Sequence, residues 1–344
     1  MACYIDPMRS MILFSLATLL PVPLLALGAV SGGWCTALAL VYLTGLTFTL
    51  DTLIKIVTPP VPESEFPAAN GLSVVLAVLH FPLLGLIVFG LAGDTLSTVA
   101  KIALFLAAGM YFGQVGNSNA HELIHRGARH LHQLGKWVYI SLLFGHHTSA
   151  HPLVHHRFVA TDMDPNTSRL GETYYAYLPR AWIGSFKAGL KAENARRKGQ
   201  PLWTHPYAHY IGGAVLMIAI AAVIGGLKGA AIYVLLAGYA QSQLMLSDYV
   251  QHYGLTRKID ENGKPEPVGA KHSWNSPHWF SSALMLNAPR HSDHHAHPSR
   301  EYPALDLPVD GPMLPRSLPT MATLALFPSR WFKVMNPRVR RLRA

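Results

Sequence analysis

Three short runs of histidine carry the densest metal-binding chemistry in this chain. HELIH sets His121 and His125 four residues apart, one turn along the same face of a helix, a separation that one metal ion bridges. AHPLVHH supplies His151, His155 and His156, and RHSDHHAH supplies His291, His294 and His295; their spacings of three to five again converge on one side of a helix. A fourth run, DYVQHYGL, puts His252 just past the end of an apolar stretch. The nine imidazoles are too many for one metal and suit two. Buried side by side without a cation they would be desolvated, and when protonated they would repel one another.

The metal follows by elimination. Imidazole suits zinc, copper, nickel and iron, but structural zinc closes at four ligands and catalytic zinc keeps three, so nine donors overshoot even a two-zinc site. Two irons with four or five nitrogens each keep open positions for dioxygen and a substrate. The expected cofactor is therefore a non-haem di-iron centre, with O2 as co-substrate. Two other readings of the same residues stay open. HExxH is also the zinc-protease signature, with Glu122 as general base, but it leaves the other seven histidines idle; a metal transporter would hold its ligands within the spans. Two irons per chain favour the oxygenase, one zinc the protease. Glu122 and Asp293 are expected to orient imidazoles by accepting the second N–H, and Asp164 in MDPNTS suits that role or a helix cap. His80, His130, His132, His205, His209 and His278 read as structural, while His146, His147, His272 and His297 read as supports of the centre more than as ligands.

The elements that position these residues are apolar helices. Half of the 344 residues are hydrophobic and only 13% are charged, a balance that fits a bilayer better than a soluble domain. Six runs have about the length that crosses hydrocarbon: 10–30, 34–57, 72–92, 97–117, 208–226 and 229–249. Of the 28 Lys and Arg, 11 lie in 118–207 and 13 in 250–344, so the positive-inside rule puts both regions in the cytoplasm; an even number of spans puts both termini there too. The net charge of +10 sits in these border segments, where anionic lipid explains it more simply than nucleic acid does. The expected fold is an all-α integral membrane protein, one domain over 1–344, with six transmembrane helices and a cytoplasmic His-rich cap. The segment 58–67 is a Pro-rich connector, 178–200 a helix lying along the membrane, and the tail after Leu307 a cover for the cytoplasmic face.

On these motifs the chain resembles the alkane 1-monooxygenase family, within the membrane fatty-acid desaturase and hydroxylase superfamily. HELIH is similar to its first histidine box, HPLVHH to its second, DYVQHYGL to its Asn-Tyr-x-Glu-His-Tyr-Gly element, and HSWNSPH followed by RHSDHHAHPSR to its C-terminal signature; VATDMDPNTSRLGETYY is similar to its linking sequence. Carried over residue by residue, the family's di-iron ligands fall on the same nine histidines. The chain departs at Ala150, where Glu often stands, at Val154 (Gly), Gln251 (Glu) and Asp248 (Asn), and at Ala288 and Pro289. None of these removes a ligand.

The resemblance implies insertion of one oxygen atom of O2 into a terminal C–H bond of an alkane, giving a primary alcohol, in a bacterial-type inner membrane. A xylene-monooxygenase-like aryl-methyl hydroxylase or a lipid desaturase or hydroxylase would use the same boxes. It also implies rubredoxin served by an NADH-dependent reductase as electron source, with ferredoxin as the alternative. Cys3 and Cys35, expected on opposite sides of the first span, cannot build an iron–sulfur site, which needs four thiolates. Electrons must therefore come from a partner, and Arg126, Arg129, Lys136, Arg157 and the Arg338–Arg343 group are candidate docking cations for an acidic one. A hydrophobic substrate would arrive from the lipid between helices; Leu43, Phe48, Asp51 and Phe112 are placed to line such a route, but helix packing is the better explanation of each.

Overall fold

The computed structural model describes residues 7–54, 60 and 66–343. Among them every extended regular element is a helix, with two isolated bridges and no strand. Five helices are long and apolar enough to cross a membrane: α1 (Met11–Ser31), α2 (Gly33–Leu53), α3 (Pro67–Ala92), α4 (Thr98–Ile124) and a last run, Pro206–His252. Between α4 and that run lie α5 (Arg129–Ser141), the irregular segment α6 (147–158) and α7 (Tyr174–Arg196). The Pro206–His252 run is α8, followed by α9 (Trp279–Leu284), α10 (His291–Ala296), α11 (Leu318–Ala325) and α12 (Pro328–Arg343).

The two spans expected at 208–226 and 229–249 are this one 47-residue run, interrupted where Gly225 (φ −140°) and Gly226 (φ 65°) leave helical geometry. A Cβ added at Gly229 would lie 2.6 Å from the Ala221 carbonyl oxygen. Eight residues of straight helix separate their ends by roughly 12 Å, so the chain doubles back at this glycine pair. The joint between α1 and α2 is built the same way. Gly32 (φ 64°) and Gly33 (φ 61°) are left-handed, and a Cβ on Gly28 would lie 2.9 Å from the Thr36 methyl. At both joints glycine supplies the positive φ that the reversal needs.

These reversals share one end of the bundle with the α3–α4 turn: Gly32 abuts Leu96, Gly225 abuts Ala92, and the Lys228 ammonium lies 3.2 Å from Asp94. The histidines lie at the other end. Other boundaries move modestly. α2 ends at Leu53, and 55–57 fall outside the described residues, as do Cys3 and most of the 58–67 connector. α3 begins before residue 72, α4 runs past 117 to carry His121, and His252 sits on the last turn of α8, not beyond it.

Two elements brace the histidine end. α7 is the helix expected within 178–200. It packs on α6 through the buried Glu193, which accepts from Ser149 Oγ at 2.7 Å and pairs with Arg197 at 3.1 Å. α12 buries Trp331, Met335 and Val339, one side of a helix at four-residue spacing, with the Trp331 ring against Tyr249 and Tyr253. The tail thus closes over this end of the bundle.

Candidate metal centre

The nine histidines gather into two groups, within each of which the candidate ligand nitrogens all lie within 4.8 Å of one another: His121, His125, His151, His156 and His294 in the first, and His155, His252, His291 and His295 in the second. The sequence expectation that each run points one way fails in detail, because the runs divide. α6 passes through a π-helical turn at His151–His155. Its wider winding brings His151 and His156, five apart, to the first group and turns His155 to the second. On α10, His291 and His295 share a face in the second group and His294 turns to the first.

The Nε2 atoms converge. His156 Nε2 lies 2.9 Å from His151 Nε2, 3.2 Å from His125 Nε2 and 3.1 Å from His294 Nε2, while His121 and His151 approach to 2.7 Å. In the second group His291 Nε2 lies 3.0 Å from His252 Nε2 and 3.1 Å from His295 Nε2. One imidazole hydrogen cannot satisfy three such neighbours, so most of these contacts set lone pair against lone pair. A cation at the centre of each group turns that repulsion into coordination. Burial, reinforced by neighbouring imidazoles, holds His125, His151, His156, His291, His294 and His295 well below the ordinary imidazole range, so their rings are neutral donors at neutral pH. An all-nitrogen donor set of five and four suits a pair of non-haem metal ions, iron among them.

His155 differs. Burial works against its protonation, but Asp164, hydrogen-bonded to Nδ1 at 2.9 Å, and the nearby charge of Asp248 outweigh burial and raise it. That bond fixes the ring so that Nε2, buried and without a partner, faces the second group. Asp164 is itself held by Thr167 Oγ1 at 2.8 Å and the Asn166 amide at 3.0 Å.

A cavity of about 260 Å³ leads away from the groups, from His121, His147, His151 and His291 between α4 and the second half of α8, with α11 along its side. From His121 to Met110, its limit on α4, is 11 residues, roughly 16 Å of helix.

The fatty acid desaturase family model matches residues 96–322. The chain is 34% identical to alkane 1-monooxygenase 1 of Alcanivorax borkumensis over 98% of its length and 86% of the relative's. It is 33% identical to alkane 1-monooxygenase 2 of Pseudomonas aeruginosa, over 81% and 76% of the two chains. The chain belongs to the alkane 1-monooxygenase family. It is also 29% identical to the xylene/toluene monooxygenase hydroxylase component XylM of Pseudomonas putida, over 76% and 72%.

In this alkane 1-monooxygenase family member the carboxylates are used differently from expectation. Glu122 pairs with Arg126 and accepts from the Tyr302 amide at 3.0 Å, and Asp293 holds His297, Arg300 and the Asp306 amide; neither meets one of the nine imidazoles. Asp164 is the carboxylate that does. Of the four residues weighed for a substrate route, none lines the cavity, and three serve packing or local bonding. Leu43 is buried in the core, Phe48 faces outward, Asp51 accepts from the Phe280 and Ser281 amides at the start of α9, and Phe112 packs on His80. The docking set loses Arg126, which is buried against Glu122, Glu301 and two carbonyls. His80 meets Ser141 at 2.8 Å, and His147 stacks on His151 while lining the cavity. The sequence reading missed Gln114, Asn117, Gln243 and Asp248 on the cavity wall; polar side chains in apolar spans were the available signal.

Proposed function

We propose that this chain is a membrane di-iron monooxygenase that hydroxylates a terminal carbon of an alkane or a similar hydrophobic molecule to a primary alcohol. The observation that carries the reading is the pair of converging imidazole groups at one end of a long cavity between apolar helices. The five histidines of one group and the four of the other are the proposed ligands of two irons. Bound there, iron would supply the reduction of O2 and the transfer of one oxygen atom to carbon.

The chain's own part is positioning. Asp164 fixes the His155 tautomer and aims its Nε2, the π turn of α6 divides three adjacent histidines between two ions, and the flanks of α4, α8 and α11 keep water from the reacting end. Six membrane crossings in one domain are proposed, counting α8 as two; the doubling back at Gly225–Gly226 supports this count. The histidine end and both termini then lie in the cytoplasm, the side favoured by the basic residues of 118–207 and 250–344. Rubredoxin, or a ferredoxin, with an NADH-dependent reductase is the proposed electron source, as the chain's two cysteines cannot form a thiolate cluster. An aryl-methyl substrate is the second reading, favoured by the likeness to the xylene/toluene hydroxylase component.

Two measurements test this. Metal analysis of the purified protein should find about two irons per chain, and gas chromatography of cells fed alkanes, alkylbenzenes and fatty acids should find primary alcohols from the alkanes. One zinc and no alcohol would reject the proposal.

A further inference from the structure

A second, much smaller cavity lies where α3, α4 and α5 meet. It is bounded by His80 of α3, Gly116 and Asn119 of α4 and Val138 of α5, with apolar side chains between them, and offers about 10 Å³ to the centre of a water molecule. Two of these side chains carry polar atoms with no partner, His80 Nδ1 and Asn119 Oδ1. Both residues are buried, at 3% and 1% exposure. Bonds on the other side of each group set its chemistry. The Ser141 hydroxyl donates its one hydrogen to the Val138 carbonyl at 2.7 Å, so its oxygen accepts from His80 Nε2 at 2.8 Å; Nε2 then holds the ring hydrogen and Nδ1 a bare lone pair. The Asn119 amide nitrogen donates to the Ser73 carbonyl at 2.9 Å and leaves Oδ1 as an acceptor. One small cavity thus has two buried acceptors on its wall, and each carries a desolvation penalty until a donor reaches it.

We propose that a single buried water molecule occupies this cavity and donates one hydrogen to His80 Nδ1 and the other to Asn119 Oδ1. Its volume is at the threshold for one water, and water is the small neutral molecule with two hydrogens to give. A metal ion would find only two donors on this wall and no carboxylate to offset its charge. The water completes a hydrogen-bonded chain that crosses from Asn119 on α4 through His80 on α3 to Ser141 on α5. The turn of α4 that leads into His121 is then fixed to its neighbours by hydrogen bonds as well as by packing. Glycine at 116 keeps the room for it. A Cβ built there would lie 3.4 Å from His80 Nδ1 and 3.6 Å from its Cε1, so a methyl group would take the space beside the lone pair in ordinary contact.

The test turns on a sign. Gly116→Ala, made in the full-length protein in detergent, puts a methyl group into the cavity. In a dry cavity that methyl fills empty space, and alanine is the better helix former, so the melting temperature would hold or rise. With water there the methyl displaces it and strands two buried acceptors, so the folded-to-unfolded ratio should fall about tenfold and the melting temperature by a few degrees. The loss should shrink in a His80→Phe background, where one acceptor is already gone. A density map of the wild-type protein fine enough to show ordered waters should carry a peak about 2.7–3.2 Å from both atoms, an observation that needs no variant to fold. A melting temperature at or above wild type in Gly116→Ala, a loss undiminished beside His80→Phe, or a map with no such peak would each overturn the inference. No substrate or donor protein enters these measurements, so either outcome leaves the monooxygenase reading where it stands.

Discussion

At the level of single residues, the two histidine groups separate side chains that one substitution disables from those it does not. His155→Ala or His294→Ala should lower bound iron and abolish hydroxylation, because alanine offers no nitrogen to a coordination position. His80→Ala, which removes a ring held by Ser141 and set edge-on to Phe112, should keep iron near the wild-type amount. Equal iron loss in both sets, read by metal analysis, would sink the ligand assignment. Asp164→Asn is the sharper probe. It replaces the carboxylate that fixes His155 by a neutral, weaker acceptor, and partners of this kind typically contribute 10–100-fold to metal affinity. Iron should fall toward one per chain, because only the group containing His155 is weakened; loss of both ions, or of neither, would contradict that placement. All nine histidines were legible as a set from spacing alone. Their division was not, since ideal helical geometry sends His151 and His155 to one side and a π turn reverses that. The choice among carboxylates also escaped the sequence, because Glu122 and Asp293 sit beside histidines in the chain and yet turn to Arg126 and Arg300.

At the level of elements, helix boundaries followed hydropathy, and what it missed was the use of glycine to bring helices together. An apolar run shows that a segment crosses; it does not show which flank is flat enough for a neighbour. A Cβ added at Gly109 would lie 2.0 Å from the Tyr239 ring, and one at Gly113 2.5 Å from the Gln243 amide, so α4 and α8 meet through these bare positions along the cavity. Gly109→Ala should therefore cost about 1–3 kcal/mol of stability by overpacking and narrow the cavity beside Tyr239. Gly238→Ala, where nothing lies within 4 Å, should leave stability equal or slightly higher, alanine being the better helix former. Thermal denaturation in detergent distinguishes the two. An unchanged Gly109→Ala protein would mean that Tyr239 swings aside freely and does not define the wall.

Across the whole molecule, charge and redox chemistry meet at one end. On the proposed reading each turnover needs two electrons, and the two cysteines of this sequence, far apart, form no thiolate cluster, so a separate donor protein is the proposed source. The histidine end carries the exposed Arg129 and Arg157, and the outer side of α12 presents Arg338, Arg340 and Arg341 while its inner side is buried. These exposed guanidiniums, taken together as a basic rim at the end nearest the proposed irons, would suit an acidic donor. The overall charge was plain in the sequence. Its arrangement was not, because Arg126 lies beside a histidine box and is nevertheless sealed inside an ion-pair network. Iron-loaded protein with NADH and alkane alone should make no alcohol, and adding rubredoxin with its reductase should restore it. If the rim steers the donor, the rate should fall several-fold as salt shortens the screening length from about 10 Å at 0.1 M to about 3 Å at 1 M. Charge reversal of Arg338, Arg340 and Arg341 to Glu should slow the low-salt reaction and flatten this dependence while iron content stays constant. Turnover without any donor would overturn the need for a partner, and a rate indifferent to both salt and reversal would move the docking surface off this rim.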